Sequence, residues 1–226
     1  GFSAPIKFEN SLTSKEKIFL VSHDSDPFNR WDKVQSLWME YIISPEKVSK
    51  TEILIMTKNL MTKEIDFALL SEMISLPSEQ IIHQNVIEID VEDVHNKRIN
   101  ALLEIGNELK DIFLETYEKL NFKKSFDLSS TSVAERALKN TCLAYITKLG
   151  ESDIAYQQFI NADCMTDQYG AFQCLLSNKN SYRDEVIDRF YNQHHSDVQV
   201  MDKWFSAQSI SSLTSVDDVK NLMKHE

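Results

Sequence analysis

Glycine and proline are scarce in this chain, four of each among 226 residues, and the shortage narrows the fold before any pattern is read. Tight hairpins lean on residues that tolerate positive φ or that preset a turn, so a many-hairpin sheet protein is hard to build from this material. An all-α chain is the expectation. The glycine-dependent motifs are missing too: the sequence holds no G-x-G-x-x-G, no P-loop and no G-x-S-x-G turn. Cys142, Cys164 and Cys174 are an odd number of cysteines without C-x-x-C spacing. That suits a reducing compartment better than a disulfide framework, and a cytoplasmic location is expected. No uninterrupted apolar run approaches 18 residues, so a helical membrane span is not expected. The opening GFSAPIKF has neither an initiator Met nor the pattern of a signal peptide, which suggests a piece of something longer.

Positive charge is also short: 24 Lys and Arg face 35 Asp and Glu, a formal net charge of −11. A surface that tracks nucleic-acid phosphates concentrates basic residues. The nearest thing to such a patch here is Lys119, Lys123 and Lys124. Neither a nucleic acid nor a membrane is expected as a partner.

What is present is ample core material, 42% hydrophobic and 10% aromatic, arranged at helical spacing. In Ser130 to Gly150, Ala134, Ala137, Leu138, Thr141, Cys142, Tyr145, Ile146 and Leu149 form the apolar stripe. Lys139 and Asn140 fall on the polar side. Ser132 and Glu135 read as a capping box that starts this helix, and Gly150 as its left-handed stop.

Ala4 to Phe8 alternates like a short strand or extended lead-in. Thr13 or Ser14 caps a short helix carrying Ile18, Phe19 and Val21, and Asp26-Pro27 starts a second one with Phe28, Trp31, Val34, Leu37, Trp38, Tyr41 and Ile42 on its stripe. Helices are expected over 51–61 and 64–75, then a short turn over Ser78 to His83. From Asp90 or Asp93 one periodic face, Ile99 through Leu120, continues for about 30 residues, or about 45 Å of helix. Further helices are expected over about 152–161, 166–177, 180–193, 197–209 and 215–225. Their short connections make neighbours antiparallel and suit stacked pairs: an α-α superhelix of irregular HEAT- or ARM-like pairs without a strict 34-residue period.

Little chemistry assembles from these residues. No two of the six histidines stand four apart, so H-E-x-x-H is absent, and His194-His195 with Asp197 reads as a solvated loop where a helix ends. Cys142 and Cys174 lie on apolar stripes as inert thiols. Asp26 and Arg30 are one turn apart and could pair, and Met201 to Phe205 places two aromatics beside a charge pair, an anchor between helices.

Four strings carry a resemblance. SDPFNRW, VAERALKNTCLAYI, NADCMTDQYGA and VMDKWF, in that order, resemble the C-terminal helical domain of the bacterial aminopeptidase N enzymes, in the M1 family of zinc metallopeptidases. The resemblance runs over nearly the whole chain. It implies that residues 1–12 are an extended junction from a preceding β-sandwich domain. It also implies that 13–226 is a helical solenoid domain that continues past Glu226 in the family. In the family, zinc, its H-E-x-x-H ligands, the catalytic glutamate and the G-x-M-E-N motif belong to a catalytic domain that precedes this one, and the resemblance implies the same here. This segment would then cap the active-site chamber and restrict access of peptide substrates. No catalytic, cofactor-binding or metal-binding residue is carried over to this chain. Composition and periodicity alone fit equally a free-standing α-solenoid scaffold that binds a partner protein, and they give little support to an independent enzyme.

Overall fold

A computed structural model describes residues 11–86, 88, 90–122 and 126–225. Among them are thirteen helices and no strand. The expected lead-in over Ala4 to Phe8, and two of the three lysines of the basic patch, lie outside the described residues. The chain divides into two compact units: one of residues 1–65 and 72–101, the other of 66–71 and 102–226.

In the first unit, helix α1 (Ser14–His23) begins at a capping box of Thr13 and Glu16. Helix α2 (Pro27–Ile43) begins with Asp26 accepting from the Asn29 N–H and proline in the first turn. Both starts are legible in the sequence. The Asp26–Arg30 ion pair is replaced by a different bond, because the Asp26 carboxylate is engaged by the cap. Arg30 Nε instead donates to the Val21 carbonyl at 2.9 Å and ties α2 to α1. Phe19 and Phe28, placed on apolar stripes by spacing, are 60% and 66% exposed. The α1–α2 contact is made instead with Val21 and a buried Lys17 that pairs with Glu40.

Helix α3 (Lys50–Thr62) starts at a second capping box, Ser49 with Glu52. Helix α4 (Phe67–Ile74) ends against α2, and this end explains a tryptophan. The last carbonyls of a helix have no partner within it. Trp38, fully buried, donates its indole N–H to the Met73 carbonyl at 2.9 Å, while the Gln35 amide donates to the carbonyls of Glu72 and Ser75. Helix α5 (Glu79–His83) is capped by Ser78. Arg98 holds the preceding turn by donating to the Pro77 carbonyl at 2.8 Å.

The long periodic segment is two helices, α6 (Val91–Glu108) and α7 (Lys110–Leu120), with Leu109 between them at φ −114° and ψ 18°. Hydrophobic spacing continues across the break, which is why spacing alone does not reveal it. Helix α8 (Ser130–Lys148) starts at Ser129, not at Ser132. Ser132 is buried, and its hydroxyl donates to Asp127 at 2.7 Å, so it belongs to the first turn and not to the cap. Gly150 ends the segment at φ 101°, a region open to glycine.

The second unit continues with α9 (Ser152–Asn161), α10 (Met165–Leu176), α11 (Arg183–His194), α12 (Val198–Ser209) and α13 (Val216–Leu222). Each packs on the next, and α10 also packs on α8. Stacked rings link successive helices: Phe113 on Tyr145 at 4.3 Å between α7 and α8, and Phe172 on Phe190 at 4.5 Å between α10 and α11. The MDKWF string is the anchor expected, for Trp204 donates to the Ile187 carbonyl on α11 at 3.0 Å.

Replacing Trp38 with Phe removes one donor and leaves the Met73 carbonyl buried and unpaired. We expect a loss of about 1–3 kcal/mol in chemical denaturation; an unchanged midpoint would refute the role assigned to the indole N–H.

Candidate functional site

The feature of the second unit with the most buried polar chemistry joins two of the four strings. Lys139 and Asn140 come from VAERALKNTCLAYI on α8, and Asp167 and Gly170 from NADCMTDQYGA at the start of α10. Lys139 Nζ donates to Asp167 Oδ2 at 2.5 Å, with the two side chains 9% and 8% exposed. Asn140 donates to the other carboxylate oxygen at 3.1 Å. From α9, Gln158 donates through Nε2 to Asn140 Oδ1 at 2.7 Å and to the Asp167 carbonyl at 2.9 Å. Periodicity had put Lys139 and Asn140 on the polar side of α8. They are instead drawn inward because a buried carboxylate meets them there.

Gly170 is part of the same arrangement. A Cβ built on it would lie 2.9 Å from Cγ and Oδ1 of Asn140, whose amide is held by two partners. The close approach of α10 to α8 therefore requires glycine at this position. Gln158 Oε1 is buried and accepts no hydrogen bond.

Beside the cluster opens a crevice of about 320 Å³, lined by residues at the ends of α7 and α9 and at the starts of α8 and α10. Its polar lining includes Glu135, Arg136 and Asp163 in addition to Lys139, Gln158 and Asp167. Asp163, Cys164 and Asp167 bring one ligand atom each within 4.8 Å of one another. This set is poorly suited to a metal ion. Asp167 already neutralises Lys139, and burial pushes the Cys164 thiol up, away from the thiolate that a metal requires.

The histidine pair separates. His194 is half-buried, within 2.9 Å of Gln168 Oε1, and burial lowers its pKa; His195 is exposed, and Asp197 caps α12. His194 is thus a packing residue and not part of a solvated loop. Cys142 and Cys174 are buried, each with a thiol pushed up to about 12 by desolvation.

Helices without strands among the described residues, each from α7 onward packed on its successor, define the class: an all-α domain of armadillo type. The family described as a domain of unknown function (DUF3458_C) with ARM repeats matches residues 14–226, and the chain belongs to it. The chain is 29% identical to aminopeptidase N of Escherichia coli strain K12 over 238 aligned residues, covering 99% of this chain and 27% of that protein. It is 27% identical to aminopeptidase N of Haemophilus influenzae, covering 92% of this chain and 25% of the relative. It thus spans about a quarter of the length of these curated relatives. The crystal structure of Legionella pneumophila aminopeptidase A in complex with aspartic acid superposes with a TM-score of 0.87 over 99% of this chain and 28% of that one. At 22% identity this likeness speaks for the fold. No helix among the described residues is long and apolar enough to cross a membrane.

Two outcomes test the site. Lys139→Met strands the Asp167 charge in the interior and should cost about 3–5 kcal/mol, while Lys139→Met combined with Asp167→Leu should recover most of it; equal losses in the single and double variants would contradict this account. In the folded protein at pH 8, iodoacetamide should leave Cys142 and Cys174 unmodified for as long as the fold holds, and peptide mapping should find any label on Cys164.

Proposed function

We propose that this chain is the non-catalytic helical domain of a zinc-dependent M1-type aminopeptidase that removes N-terminal residues from peptides. The observation that carries the reading is the pattern of coverage: 92–99% of the chain aligns with aminopeptidase N of three bacteria, and in each it accounts for only 25–27% of the length. On this reading, zinc and the groups that polarise the scissile bond reside on a catalytic domain of the same polypeptide. This segment contributes a wall over the active-site chamber, so that only chain ends and short flexible peptides reach the metal. The residues support a structural role, since their buried polar groups are spent on joining helices. Residues 1–12 would be the junction from the preceding domain and 13–226 the helical domain, with further repeats following. The three free cysteines fit a cytoplasmic enzyme.

The gene that encodes this chain should specify an H-E-x-x-H motif upstream of Gly1. The full polypeptide should hydrolyse an alanine p-nitroanilide and hold zinc, while the 226-residue segment purified by itself should do neither. Turnover that stays with the isolated segment through successive columns, or an upstream frame without the motif, would overturn the proposal.

A further inference from the structure

The seven tyrosines of the chain do not share one environment. Tyr41, Tyr117 and Tyr145 are buried, and the Lys203 ammonium lies 5.4 Å from the centroid of the Tyr169 ring, where a cation opposes removal of an electron from it. Tyr156 on α9 and Tyr182, at the cap of α11, stand apart from these. Their rings stack with centroids 4.1 Å apart and an interplanar angle of 12°, and among the described residues no other two tyrosines are in ring contact. Each hydroxyl donates to a carboxylate in the first turn of the other helix: Tyr156 to Glu185 Oε1 at 2.7 Å, and Tyr182 to Asp153 Oδ1 at 2.7 Å. Both rings are half-buried, and both carboxylates are exposed. These hydrogen bonds push both phenols above their ordinary range, so each keeps its proton in neutral solution. No step of the proposed reaction uses the pair.

We infer that Tyr156 and Tyr182 form a site of oxidative cross-linking, at which a diffusible one-electron oxidant such as the carbonate radical joins α9 to the start of α11 through a dityrosine bond. A phenol gives up an electron readily only if its proton leaves with it, because the radical cation left otherwise is a very strong acid. Here each proton has a base in place: Glu185 takes that of Tyr156, and Asp153 that of Tyr182. Two oxidant molecules accept one electron each and leave two neutral phenoxyl radicals. These couple through a ring carbon beside each oxygen, forming one carbon–carbon bond. The hydrogens on those two carbons then move as protons to the oxygens and restore both phenols, while the carboxylic acids release their protons to water. The product has two hydrogens fewer than the parent. Rings stacked at 4.1 Å are already near van der Waals separation, and surface side chains reorient on the picosecond to nanosecond scale. Coupling within the pair therefore outruns an encounter with a radical on another molecule. Because α10 lies between the two helices in the chain, the bond closes a covalent loop around it and restricts the unfolded chain as a disulfide does. The inference does not depend on the peptidase reading.

The test oxidises the full-length protein with a photogenerated tris(bipyridyl)ruthenium(III) complex, follows the blue fluorescence of dityrosine, and maps the products by mass spectrometry. A cross-linked pair of peptides carrying Tyr156 and Tyr182 is expected in the monomeric fraction, ahead of any other tyrosine pair of this segment. Tyr156→Phe and Tyr182→Phe should each abolish it. Both keep a stackable ring and remove only a hydroxyl that bonds an exposed carboxylate, so both should fold normally. Glu185→Gln and Asp153→Asn keep a hydrogen-bond acceptor but not a base. Each should slow the cross-link about fivefold, a modest effect for a general base because water can stand in at the surface. The inference fails if no peptide pair joining Tyr156 to Tyr182 is found, if Tyr182→Phe forms dityrosine within this segment as fast as the parent does, or if both carboxamide variants cross-link at the parent's rate.

Discussion

The second unit depends on a charge that has been taken out of water. Asp167 sits at the first turn of α10 with its side chain 8% exposed, and a carboxylate so placed is tolerable only if both oxygens are satisfied. Lys139 supplies the counter-charge, Asn140 a second donor, and Gln158 bonds the backbone at the same residue. Three helices are thereby fixed at one point. An apolar core allows helices to slide by a fraction of a turn at small cost, whereas this cluster has one register in which Lys139, Asn140 and Gln158 all reach their acceptors, and the acceptor Gln158 Oε1 is left without a donor. Gly170 follows from it, since α10 must come close enough to α8 for Asp167 to reach Lys139, and at that distance a Cβ would press on Asn140.

The starts of helices were the most legible part of the chain. Thr13 and Asp26 act locally, through side-chain oxygens on backbone N–H groups three residues on, so the residues that form each cap are adjacent in sequence. Gly150 at φ 101° is the same kind of local fact. The Ser132–Glu135 pattern misled because several serines precede the helix and tertiary contacts decide among them: Ser132 is buried against Asp127, and Ser129 takes the cap. The break at Leu109 was invisible because the hydrophobic phase is preserved across it.

The polar cluster was illegible for a different reason. Amphipathic reading assumes that a helix has one buried face and one wet face. Helix α7 obeys this, with Phe113 and Tyr117 buried and Asp111, Glu115 and Glu118 exposed. Helix α8 packs against α7, α9 and α10 together and has little face left for water. Polar residues on such a helix must be paired, and the partner is 28 positions away in sequence. Lys139-Asn140 and Met165-Thr166-Asp167 both lie in strings that carry the resemblance, but nothing in either string marks the two as partners.

The excess negative charge has an address that bears on what the domain can do. Residues 66–120 hold twelve carboxylates against four Lys and Arg, a net of −8 out of the chain's −11. On the last turns of α6 and along α7, Glu104, Glu108, Asp111, Glu115 and Glu118 recur at alternating steps of four and three, all exposed, along about 21 Å of one helical face. A ridge of this sign repels phosphate, and it lies away from the apolar row of Ile105, Leu109, Phe113 and Tyr117 that packs inward. The two sides are divided: one is committed to its neighbours by aromatic stacking and buried packing, the other kept wet by like charges. The carboxylates on the wet side discourage indiscriminate association without weakening the packed side, because screening by salt limits their mutual repulsion to about a Debye length of ~8–10 Å.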